Sequence, residues 1–87
     1  MRQRKTHRIK TVDPFYCDVL RGDKKAEIRR HDRDYRIGDI LVLQEYDPET
    51  GDILGDYAVR ITGVVTWLEF PEGLKPFYSM LSIEPMY

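Results

Sequence analysis

Apolar and polar residues alternate in short runs along most of this 87-residue chain, which predicts a protein built largely of strands. Thr6 to Thr11 alternates around Ile9 and reads as a first strand. Lys25 to Arg30 reads as a second, with Glu27 and Arg29 on one face and Ala26 and Ile28 on the other. Ile40 to Tyr46 opens on four consecutive apolar residues, a pattern that implies burial on both faces at that end. Tyr57 to Leu68 places Tyr57, Val59, Ile61, Val65 and Trp67 on one face, and Gly63 interrupts that face as a bulge or sharp bend would. Phe77 to Glu84 is the last strand, with Phe77, Leu81 and Ile83 sharing a face and Pro85 ending it.

One segment has the other period. Asp13 suits a helix N-cap, Pro14 the first helical position and Gly22 the left-handed residue after the end. Between them Phe15 pairs with Val19 and Tyr16 with Leu20 at i,i+4, so one main helix is expected over about 13–21. Asp47 to Asp52, with Pro48 and Gly51, reads as a hairpin loop. Together these elements predict a single α+β domain over 1–87. Its sheet is a curled, mostly antiparallel β-barrel of about five or six strands, preceded by a flexible basic arm at 1–5.

Net charge is −1, but its distribution is uneven. Residues 1–36 hold twelve Lys and Arg against six Asp and Glu; residues 37–87 hold two against nine. The basic first half points to a polyanionic partner, unless folding interleaves the halves and blurs the asymmetry. The acidic residues around the hairpin at 45–56 read either as a protein-docking face or as a solvated one. No run of about 18 apolar residues occurs, and no apolar segment follows the basic N-terminus, so neither a membrane nor export is expected and a cytoplasmic home is the default. Cys17 is the only cysteine, which excludes an internal disulfide and a cysteine zinc cluster. His7 and His31 lie far apart in the chain; no metal and no cofactor are expected.

The chemistry concentrates in residues 22–39. Arg29, Arg30 and Arg33 offer forked donors suited to phosphates, and Lys24 and Lys25 offer point charges. Tyr16, Tyr35 and Tyr46 are candidates for stacking on bases. Glu27 is a candidate acceptor for a base N–H; the plainer alternative is a same-face ion pair with Arg29.

Gly22-Asp23-Lys24-Lys25-Ala26-Glu27-Ile28-Arg29 resembles the Gly-x-Lys-x-x-Glu-x-Arg pattern of the ASCH domain (activating signal cointegrator homology), a member of the PUA-like superfamily. The likeness extends to His7 and Lys10 at the start, the Arg33-Asp34-Tyr35 step, Ile37 to Leu41 and Tyr78 to Ile83, and so covers nearly the whole chain in the manner of short stand-alone bacterial and phage members. The resemblance implies a PUA-like barrel with a cleft between helix and barrel, floored by Lys24, Glu27 and Arg29. It implies RNA or nucleotide binding; Arg30, Arg33 and Tyr35, from the chemistry of the residues themselves, and His7 complete the candidate ligand-binding set. Some compact relatives of that group are amidohydrolases for an acetylated nucleoside and use a Lys, a Thr and a Glu. Here the Lys matches Lys24, while Glu27 stands where the Thr belongs, so Lys24 and Glu27 are the catalytic candidates if the chain is an enzyme. The missing hydroxyl favours a binding module over a hydrolase; a protein-interaction factor using the acidic hairpin ranks lower because a charge run is usually a solvated face.

Overall fold

In the computed structural model, which describes residues 3–86, five strands and one short helix follow one another as β1 (Thr6–Thr11), α1 (Phe15–Leu20), β2 (Ala26–Arg30), β3 (Ile40–Tyr46), β4 (Ile53–Thr66) and β5 (Tyr78–Pro85). The strands form one sheet in the order β1-β3-β4-β5-β2. Three of its four ladders are antiparallel; β1 and β3 run parallel, from Thr6 opposite Ile40 to Thr11 opposite Glu45. The sheet curls into a half-barrel whose edges are β1 and β2. The curled, mostly antiparallel sheet expected from the pattern is present, but as a half-barrel: β1–β3 is parallel, and among the described residues no ladder joins the two edges.

The helix is much shorter than the expected span 13–21. Pro14 sits at the cap, and α1 has only six residues. Asp13 still serves the helix start, its Oδ1 accepting from the Cys17 N–H at 3.3 Å. After Arg21 the chain turns at Gly22, whose φ of 83° suits a residue without a Cβ. A helix of so few turns buries only one stripe, Tyr16 and Val19 at i,i+3, while Phe15 and Leu20 remain exposed.

The core lies inside the curl. Ile9, Leu41, Leu43, Val59, Ile61, Leu81 and Ile83 project inward from β1, β3, β4 and β5, with Tyr16, Val19 and Tyr35 closing the ends. Gly63 does mark a bulge: Ile61 pairs with Ile83, but Gly63 pairs with Ser82. The extra residue reverses the side-chain parity, so Val64, opposite Leu81, packs on the core in place of the expected Val65. Phe77 also leaves its expected face. Its φ of 69° breaks the alternation, and the ring is exposed.

Asp39 anchors the opening of the sheet. It is 1% exposed, and it accepts from the Lys5 N–H on Oδ1 (3.1 Å) and from the Arg36 N–H on Oδ2 (3.2 Å). His7 Nε2 lies 2.9 Å from the same Oδ2. The Ile40 N–H donates to the Lys5 carbonyl, so Lys5 belongs to the β1 entry and not to a loose arm; residues 1 and 2 of that arm lie outside the described residues. Replacing Asp39 by Ala strips these donors of a charged acceptor. Urea unfolding is expected to show a loss of about 3 kcal/mol, from several charged hydrogen bonds worth roughly 1.5–3 kcal/mol each and partly replaced by water. A loss below about 0.5 kcal/mol, the usual range for a surface substitution, would show that Asp39 is not an anchor.

Candidate functional site

The two sheet edges face each other across a seam that side chains, not a backbone ladder, hold together. Its centre is Glu27, on β2. The strand alternation turns this carboxylate inward and leaves Ile28 exposed on the outside. Glu27 is 4% exposed, so its charge requires partners. Lys24 Nζ donates to Oε1 at 2.6 Å and Arg29 Nε donates to Oε2 at 3.2 Å. Lys24 is placed by the turn after α1, where the Asp23 and Lys24 N–H groups both donate to the Asp18 carbonyl, and its ammonium also donates to the Ala26 carbonyl.

Arg29 reaches across the seam. Its Nη2 donates to the Lys10 carbonyl at 3.0 Å and to Thr11 Oγ1 at 3.1 Å, both on β1. Further along, Arg33 Nη1 donates to the Arg8 carbonyl at 2.7 Å. Two guanidiniums therefore satisfy β1 carbonyls in the place a neighbouring strand would occupy. Their fork geometry suits this role as a lysine would not.

Two cavities open along the seam and share Lys10 and Arg29 in their linings. One, of about 320 Å³, is ringed by Arg8, Lys10, Arg29, Arg30 and Arg33, with Asp32 the single acid in its lining. The other, of about 520 Å³, has Lys24, Glu27, Arg29 and Thr11 beside apolar Val12, Phe15, Ile28 and Met80. The residues singled out in the sequence thus separate into groups. Lys24, Glu27 and Arg29 meet in one network; Arg30 and Arg33 line the adjoining cavity. His7 and Tyr35 lie behind the seam. His7 is held by Asp39, and Tyr35 is 4% exposed with its ring edge-on to His7 at 4.9 Å, touching only the floor of the smaller cavity. Tyr16 is buried too, and Tyr46 lies under the Lys10 ammonium at 4.8 Å.

Thr11 and Arg8 were not among the residues the sequence singled out, and Lys10 was marked only through the resemblance of the His7–Lys10 start. Their signal was faint: a polar alternation on β1, without any mark of the strand it would face. Sequence reasoning also missed the contact of Ser79 Oγ with His31 Nδ1 at 2.6 Å, which joins a run of rings from His7 through Tyr35, His31 and Trp67 to Phe77. Away from the seam, Asp13, Cys17 and Glu45 bring ligand-type atoms within 4.8 Å of one another. The thiol is hydrogen-bonded to Asp13, which lowers the Asp13 carboxyl and raises Cys17, and the hydrogen bond shared with Asp13 raises Glu45. A thiol held protonated beside two carboxylates is a poor nucleophile.

A family model described as a domain of unknown function, DUF3850, matches residues 6–83, from the start of β1 into β5. The chain belongs to the DUF3850 family. It is also 36% identical over 67 residues to the uncharacterized 12.9 kDa protein in the GpA 3' region of Escherichia phage P2, an alignment covering 75% of this chain and 62% of that protein. The family match includes every residue of the seam network. No helix among the described residues is long and apolar enough to cross a membrane.

Replacing Glu27 by Ala leaves Lys24 and Arg29 facing each other without the anion between them. Because about a quarter of each cation's side chain remains exposed, the expected loss on urea unfolding is about 2–3 kcal/mol, below the 3–5 of a wholly buried pair. Stability equal to wild type would show that the pair is incidental. A second effect of burial appears in alkali. Burial raises the phenols of Tyr16 and Tyr35 above the ordinary 10.0; nearby Glu45 and Asp56 add to the rise at Tyr16, while Arg33 opposes it at Tyr35. A folded-state pKa above the unfolded one favours the neutral form. The contribution is therefore complete below pH 10 and is lost as pH rises through the folded values. In a pH titration followed by tyrosinate absorbance and circular dichroism, two of the six tyrosines are expected to ionise only together with unfolding. Ionisation of all six before any loss of structure would contradict the burial.

Proposed function

We propose that the seam between β1 and β2 binds single-stranded RNA or a nucleotide, and that this protein is a binding module. The observation that carries this reading is the cavity lined by five cations and one acid, open beside the Lys24–Glu27–Arg29 network. Forked guanidiniums and an ammonium on one surface match phosphate oxygens, and an adjoining cavity with apolar walls suits an unstacked base. The likeness of Gly22 to Arg29 to the ASCH motif, and through it to the PUA-like superfamily, supports the same ligand class.

Each named residue has a part. Glu27 positions Lys24 and Arg29; Arg29 and Arg33 brace β1 while presenting charge. Arg8 and Arg30, exposed and without an ion pair among the described residues, meet the ligand's phosphates. In a hydrolase on a modified nucleoside, Lys24 and Glu27 would do the chemistry. Against that reading, each oxygen of Glu27 already accepts a hydrogen bond from a cation, which leaves the carboxylate engaged in holding Lys24 and Arg29. The acidic hairpin supports a protein partner less well, since Asp47 is used within the loop, accepting from the Glu49 N–H on Oδ1 and from the Gly51 N–H on its carbonyl.

Titration of a fluorescent single-stranded RNA by anisotropy at 50 and 200 mM salt tests the proposal. Each phosphate contact adds about 0.7 to the magnitude of the salt slope for a single strand. Arg30→Ala and Arg33→Ala are each expected to reduce that slope by about this amount. Arg29→Lys is expected to weaken binding although charge is kept, because one point replaces a fork. Salt-independent binding, or a wild-type slope in the Arg30→Ala, Arg33→Ala double variant, would overturn the proposal.

A further inference from the structure

The two seam cavities differ in character, and the same two cations stand in both linings. On one side of Lys10 and Arg29 the walls are Arg8, Arg30 and Arg33. On the other, apolar Val12, Phe15, Ile28 and Met80 stand beside Thr11 and the Lys24–Glu27 pair. Phe15 and Ile28 are 50% and 61% exposed, large apolar surface left open beside a cationic floor. Ile28 stands opposite Met80 in the β2–β5 ladder, so these two side chains form a continuous patch on the outer face. Arg29 cannot swing freely between the cavities: Glu27, the Lys10 carbonyl and Thr11 Oγ1 each take one of its hydrogen bonds. It forms a fixed partition.

We propose that this is a divided site for one phosphorylated nucleoside unit. The phosphate sits among Arg8, Arg30 and Arg33, the base lies against Phe15, Ile28 and Met80, and Lys10 with Arg29 marks the boundary between them. The inference rests on the nucleic-acid reading above for the class of ligand and adds its polarity and its length. An anion alone gains nothing from the apolar walls of the larger cavity, and a nucleoside alone gains nothing from the arginines of the smaller one. Only a ligand that is charged at one end and flat and apolar at the other uses both. The larger cavity, about 520 Å³, falls within the roughly 300–1,000 Å³ typical of small-molecule sites. The required unit occurs both in a free mononucleotide and at a position along a strand.

Competition against the labelled RNA, and direct calorimetry, use four kinds of probe: inorganic phosphate, the four ribonucleosides, their monophosphates and a short single-stranded RNA. At least one monophosphate is expected to bind about tenfold or more tightly than its nucleoside and than phosphate. In the Arg8→Ala, Arg30→Ala variant that monophosphate falls to the affinity of its nucleoside, and nucleoside binding is unchanged. In Ile28→Ser both weaken by the same factor while phosphate binding is unchanged. Both variants alter exposed side chains, and a thermal melt verifies that they fold. Monophosphate binding without RNA binding upholds the divided site and assigns the free nucleotide as its source. RNA binding with no competition from any monophosphate, or an equal loss for nucleoside and monophosphate in the arginine variant, overturns the divided site and leaves the RNA reading standing. Failure of every probe overturns both.

Discussion

A single buried carboxylate sets the conditions for the rest of this structure. Moving a charge such as that of Glu27 out of water costs several kcal/mol unless partners recover it. The two partners are near in sequence, at 24 and 29, and each is tied to something else. Lys24 is fixed by the turn that ends α1, and Arg29 extends past the carboxylate to β1. Glu27 thus joins the helix turn, β2 and β1 through side chains alone. Without it, the guanidinium that spans the seam would lack an anion to orient it.

That span resolves a difficulty inherent in an open sheet. Unpaired strand edges invite association with other chains. Here the two edges are turned toward each other by the curl, too far apart for a ladder, and the space between them is occupied by arginine. Arg29 and Arg33 satisfy the Lys10 and Arg8 carbonyls as strand neighbours would. A seam closed by long cationic side chains differs from a seam closed by backbone in one respect: it leaves room and charge for a ligand. The support behind it is hydrogen-bonded and packed. Asp39 holds the β1 entry against the turn before β3, and the rings of His7, Tyr35 and His31 pack behind the cations.

Much of the strand content was legible in the sequence, because local alternation determines it. β1 and β3 begin and end at the residues the pattern indicates, and Gly63 marks the bulge it suggested. What could not be read were relations between distant residues. The parallel pairing of β1 with β3 has no local signature. The parity reversal after Gly63 depends on which residue of β5 stands opposite. The helix was read too long because Asp13 and Gly22 are good terminal signals however many residues between them hold helical geometry. Of the site, Lys24, Glu27 and Arg29 were visible as a cluster along the chain. The bridge from Arg29 to Thr11 spans 18 positions and was not visible. Tyr35, flanked by Asp34 and Arg36, gave no hint that it is buried.

The charge asymmetry of the sequence receives its explanation from topology. Had the first and last strands paired, as in many small barrels, basic and acidic segments would have alternated around the sheet and cancelled. Instead the first 36 residues supply β1 and β2, which become the two edges, and the remainder supplies β3, β4 and β5 between them. The curl then brings the two edges to the same place. Cations from both ends of the basic half, Arg8 and Lys10 on one side, Arg29 and Arg30 on the other, meet at the seam, while nine of the fifteen acids fall in residues 37–87, on the middle strands and their connections. A modest excess of positive charge, spread over 36 positions of sequence, is concentrated by strand order into one cavity with a single acid in its wall. Low-dielectric walls on a cleft of one sign focus its field outward and raise the local concentration of anions. The strand order that leaves this sheet open is therefore also what makes its opening electropositive.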